Sequence, residues 1–74
     1  MVELFDTASS TVLAAYPSLE EALLDVRTEI DLGGRSVART WALGEYQRDG
    51  RIVCVVEGDA LIERALAVPN HVAS

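Results

Sequence analysis

The stretch from Tyr16 to Gly34 constrains this chain most, because it specifies a helix together with both of its ends. Ser18 stands three residues before Glu21, so hydroxyl and carboxylate can satisfy each other's backbone N–H groups in a capping box. Leu19, Ala22, Leu23, Val26 and Ile30 recur at helical spacing and form one apolar stripe. Gly33 and Gly34 close the helix, since glycine accepts the left-handed conformation that ends one. A helix over residues 18–32 runs about 20 Å at about 1.5 Å per residue. Its stripe needs a surface to pack on, and the rest of the chain must supply it.

The flanking segments read as strands. Val2 to Asp6 alternates, with Val2 and Leu4 on one face and Phe5 on the other. Thr7-Ala8-Ser9-Ser10 is a polar turn, and Thr11 to Tyr16 is its antiparallel partner, ended by Pro17. Residues 33–40 read as an irregular link. Trp41 to Gln47 is a third strand, Arg48-Asp49-Gly50 a hairpin turn, and Arg51 to Glu57 a fourth strand. Ile52, Val53, Cys54, Val55 and Val56 are apolar on consecutive positions, the pattern of a strand covered on both faces. That pattern makes Cys54 a small buried hydrophobe. Asp59 is the expected cap of a second helix, with Leu61, Ile62, Ala65 and Leu66 inside and Pro69 at its end.

The expected fold is therefore α+β in the order ββαββα, a four-stranded, mainly antiparallel sheet with two helices on one face. Residues 1–68 form a single domain and 69–74 a flexible C-terminal tail. The two ββα units share a layout but no residue-by-residue repeat. The second hairpin admits two registers. A two-residue Asp49-Gly50 turn sets Leu43 opposite Val56; a three-residue Arg48-Asp49-Gly50 loop sets Leu43 opposite Val55 and puts Tyr46 on a face with Ile52, Cys54 and Val56. The second is preferred, because it groups Trp41 and Leu43 with Val53 and Val55.

A core of this size is thin, and small domains often add a disulfide, a metal or a partner. The chain has 74 residues, one cysteine and one histidine, His71, so the expectation is no internal disulfide and no metal. Half of its residues are hydrophobic, which favours association, most simply as a homodimer joined by sheet faces or edges. Twelve acidic residues stand against six basic ones, all arginine, for a net charge of −6. That balance disfavours nucleic acid and anionic membranes as partners. The opening MVELFD carries acids where a leader would be positive, and no run reaches the roughly 20 apolar residues of a membrane span. The expected compartment is the cytoplasm.

No constellation points to a reaction, so no catalytic, cofactor-binding or metal-binding residue is assigned. The pairs Glu20-Glu21 and Glu29/Asp31 lie on a solvated helix face, and general acid–base chemistry needs a carboxylate with a shifted pKa. Gly33-Gly34-Arg35-Ser36 follows a helix, whereas a phosphate cradle precedes one. Interaction is the better reading. Arg39, Trp41, Tyr46, Val53 and Val55 are the candidate contact residues, since Trp, Tyr and Arg dominate binding hot spots. The leading function is a non-enzymatic protein-interaction module that self-associates through its sheet. One alternative is a small acidic inhibitor of a basic partner, antitoxin-like or a nucleic-acid mimic, which the acid row of the first helix would suit. Another is a small-molecule binder or enzyme with a site between subunits around Arg39, Glu57 and Asp59.

Tyr16-Pro17-Ser18-Leu19-Glu20-Glu21-Ala22-Leu23, then Trp41-Ala42-Leu43, then Asp49-Gly50, Glu57-Gly58 and Leu61 carry a resemblance. Over most of residues 2–67 the chain resembles a group of short bacterial one-domain proteins of no assigned activity. They share a P-S-x-E-E-A-L helix start, a W-A-L strand and a closing E-G-x-x-L helix. The resemblance implies a fold and carries no active residues.

Overall fold

A computed structural model of the chain describes residues 1–68. The tail 69–74, with Pro69 and His71, lies outside the described residues. The elements are β1 (Val2–Asp6), β2 (Thr11–Tyr16), α1 (Leu19–Gly33), a 3-10 turn (Arg35–Ala38), β3 (Trp41–Tyr46), β4 (Ile52–Glu57) and α2 (Gly58–Ala67). The order ββαββα and the α+β class are as expected. The four strands make one antiparallel sheet in the order β2-β1-β3-β4, so the two hairpins meet through their first strands.

Ser18 caps α1 by accepting the Glu21 N–H at 3.2 Å. The capping box is half formed: the Glu21 carboxylate takes the Ser18 hydroxyl at 3.4 Å instead of a backbone N–H. Ala22, Leu23, Val26 and Ile30 are buried, with Leu19 packed at the margin of the core. The Gly34 N–H ends the helix on the Ile30 carbonyl at 2.7 Å. The link expected to be irregular is a 3-10 turn that buries Ala38. For α2, Asp59 is not the cap. Glu57 occupies that position and makes no side-chain bond, leaving Asp59 in the first turn to suit the helix dipole. Leu61, Ile62 and Ala65 are buried. Both helices pack side by side on the face that carries Val2, Leu4, Leu43 and Val56, and the single core lies between these layers.

The second hairpin uses both registers. Near the turn it is the three-residue loop: Gln47 N–H bonds Arg51 O at 2.7 Å, and Gly50 takes φ +86°, the left-handed position such loops place there. Tyr46 accordingly faces Ile52, and Gly44 faces Cys54. A bulge then makes Val55 the unpaired residue, so Leu43 faces Val56 rather than Val55. The bulge turns Val56 to the helices and splits it from Cys54, with which alternation had grouped it. β1–β2 carries a bulge at the equivalent step: Leu4 faces Ala14, Phe5 faces Val12, and Leu13 is extra. The central β1–β3 pair sets Leu4 against Leu43. A two-fold rotation about that pair therefore relates the halves in strand order, register and bulge position, although the sequence shows no repeat.

β4 corrects the main burial expectation. It is an edge strand, and of its five consecutive apolar residues only Val56 is buried. Cys54 is exposed, not a core residue.

Candidate interaction surface

Alternation along the strands sorts the sheet into two faces. One is covered by the helices. The other is open and carries Glu3 and Phe5 of β1, Val12 of β2, Ala42, Gly44 and Tyr46 of β3, and Ile52 and Cys54 of β4. Gly44 is buried although it has no side chain. Phe5 and Ile52 lean over it from either side. A Cβ built there would lie 2.6 Å from Ile52 Cγ2 and 3.0 Å from Phe5 Cε2. An aromatic ring over a strand glycine replaces the missing packing. Beside this lid runs a shallow trough of about 270 Å³, with Ala42 on its floor and Cys54 and Glu57 on its β4 side.

The Tyr46 hydroxyl donates to Glu3 Oε1 at 3.1 Å, and that bond raises the phenol pKa. The apolar surroundings of the Cys54 thiol raise its pKa first, and the Glu57 carboxylate, 3.8 Å from Sγ, raises it further. A thiol held protonated is a poor nucleophile. At the far end of the sheet, Thr40 Oγ1 and the Ala8 N–H both donate to Asp6 Oδ1 at 3.0 Å. These bonds lower the Asp6 pKa, with Thr40 the larger cause. Thr7 donates from both N–H and Oγ1 to Thr40 O, at 2.7 and 2.6 Å, which ties the first hairpin to the start of β3.

The five candidate contact residues do not form one surface. Tyr46, Val53 and Val55 are exposed along the β3–β4 hairpin, but Tyr46 is on the open face, Val53, opposite Glu45, is on the helix side, and Val55 is the bulge residue. Trp41 lies at the other end of β3, about 17 Å away at about 3.3 Å per residue, and on the helix side. It is half-buried against the core. Arg39 sits beside it, exposed, its carbonyl 3.6 Å from where a Cβ on Gly58 would be. Among the described residues the ion pairs are Arg35–Glu63 at 3.2 Å and Arg51–Asp49 at 3.1 Å, so Arg39 pairs with neither Glu57 nor Asp59. Of those three, only Glu57 borders the trough.

Sequence reasoning missed Ile52 and Cys54 as surface residues. Their alternation with Tyr46 across the hairpin was the available signal, masked by the run of five apolar positions. It also missed Arg27, whose guanidinium turns from the acid row of α1 and donates to the Leu66 and Val68 carbonyls at the end of α2. The outer side of α1 thus presents Glu20, Glu21, Glu29 and Asp31 without that arginine beside them.

Among the described residues, no three His, Cys, Asp or Glu side chains converge as metal ligands would, and no helix is long and apolar enough to cross a membrane. Comparisons with protein-family models, curated proteins and solved structures found no match to the chain.

Proposed function

We propose that this protein is a non-enzymatic interaction module that associates with itself through the β4 side of its sheet. One observation carries the reading. Ile52, Val53 and Val55 remain 39%, 49% and 37% exposed in a strand whose sequence is that of a fully covered one. Covering the part still exposed is worth roughly 1 kcal/mol each, under half of the full burial of such a side chain, and isolated chains rarely leave so apolar an edge bare. Tyr46, opposite Ile52 on the open face, adds a partly exposed aromatic beside that strand, of the kind that anchors interfaces.

Light scattering across a dilution series from high to low micromolar tests it. The expected result is a dimer that dissociates on dilution, with Val53→Lys shifting the midpoint to higher concentration. A monomer at every concentration would discard self-association. Attention would then pass to the uncompensated acids of α1, which suit a basic partner whose binding weakens as salt rises.

A further inference from the structure

The self-association reading leaves open which part of β4 meets the second copy, and the backbone narrows the choice. The Arg51 carbonyl accepts from Gln47 and so points at β3. Successive residues of an antiparallel strand direct their N–H and C=O to alternate sides. Ile52 and Cys54 therefore aim theirs outward, where the sheet order provides no strand to receive them. Unpaired edges are usually guarded by lysine, proline or a charge within the strand. Ile52 to Val56 has none of these, and its one irregularity, the bulge at Val55, leaves the run from Arg51 to Cys54 regular.

Charge identifies the occupant. β4 carries Arg48, Asp49 and Arg51 at its hairpin end, a net positive charge although Arg51 also meets Asp49 at 3.1 Å, and Glu57 and Asp59 at its helix end. An antiparallel partner of the same sequence sets unlike ends together, while a parallel one sets like ends together. Pairing centred on Cys54, with the extra residue at Val55 taken up by the bulge, brings Arg51 within one residue of Glu57 of the second copy and lays Val53 against the bulge. β2, the opposite edge, has no charged residue of either sign between Thr11 and Tyr16, and so no such complementarity with itself.

Resting on that reading, we infer that two copies join β4 to β4 in antiparallel fashion, fusing two four-stranded sheets into one eight-stranded sheet across a two-fold axis. The pairing makes β4 an interior strand, which its consecutive apolar residues suit.

Cys54→Pro tests the mode. The lost N–H faces outward, so no bond to β3 is removed, and proline is tolerated on such edges. The expected result is a chain with unchanged circular dichroism whose dimer is weakened by about tenfold or more. A Cys54→Pro dimer as tight as the original would overturn edge pairing while leaving self-association standing. A monomeric original chain would end both. Hydrogen exchange on the unaltered protein reads the same point without a variant. The Ile52 and Cys54 amides should be protected in the dimer and exchange freely on dilution; free exchange in the dimer would overturn the proposal.

A charge reversal tests the orientation. Arg51→Glu should weaken the dimer by about two- to fivefold, and adding Glu57→Arg should restore it. Within one chain these residues stand about 20 Å apart, so restoration has to occur between copies. Failure to restore would overturn the antiparallel arrangement.

Discussion

At Gly44 a Cβ would approach Ile52 Cγ2 to 2.6 Å and Phe5 Cε2 to 3.0 Å, and Cγ2 is too close to its own backbone to swing clear. Gly44→Ala is therefore expected to cost about 1–3 kcal/mol, the usual range for overpacking. Ile52→Ala in the same background should recover part of it, and chemical denaturation of the two single variants and the double variant measures the coupling. Additive losses would mean that the two residues do not collide. A second residue-scale case is Tyr16, whose hydroxyl donates to Asp25. Burial first, then the bond to Asp25, push the phenol above its ordinary value near 10. A pKa raised by folding gives stability that is fully present below the unfolded value and lost as pH rises through the folded one. Tyr16→Phe should lower stability near neutrality by about 1 kcal/mol and flatten the decline above about pH 10. Denaturation midpoints across that range check it; an unchanged alkaline slope would break the link.

Among the elements, α1 was legible because everything that specifies it is local: cap, stripe and glycine stop lie within Tyr16 to Gly34. α2 was legible in its apolar side and not in its ends. Its N-terminus lacks a side-chain cap, and its C-terminus is held by Arg27 from α1, 39 and 41 residues away from the two carbonyls it binds. No spacing rule finds such a partner. Arg27→Met keeps the stem and removes the donors, so a loss of roughly 1.5–3 kcal/mol is expected. Amide exchange should quicken in the last turn of α2 more than in α1; equal change in both helices would assign Arg27 a packing role only. The candidate surface was half legible for a related reason. Turn chemistry fixed the register beside Gly50, but a bulge has no local signature in Val53-Cys54-Val55-Val56, and it reverses the faces beyond it.

For the whole molecule, element order followed from local patterns, while strand order did not. Each hairpin announces itself through its turn, but Leu4 and Leu43 meet across 39 residues with no single turn joining their strands. The matched bulges make the halves equivalent about that pair, and this has a kinetic consequence. Every other strand pairing is local, and hairpins and helices form within microseconds. Commitment to the native state is then the closure of β1 on β3, the one sheet contact of long sequence separation. Leu43→Ala is expected to slow refolding, whereas Val56→Ala, on the outer strand, should mainly speed unfolding. Stopped-flow rates for the two variants distinguish these, and similar effects on both limbs would disperse the barrier over the sheet. A joint between equivalent halves can also close between molecules when the chain concentration approaches the effective concentration within one chain. Refolding at high concentration should therefore show a slow phase that grows with concentration, as half of one chain captures the complementary half of another.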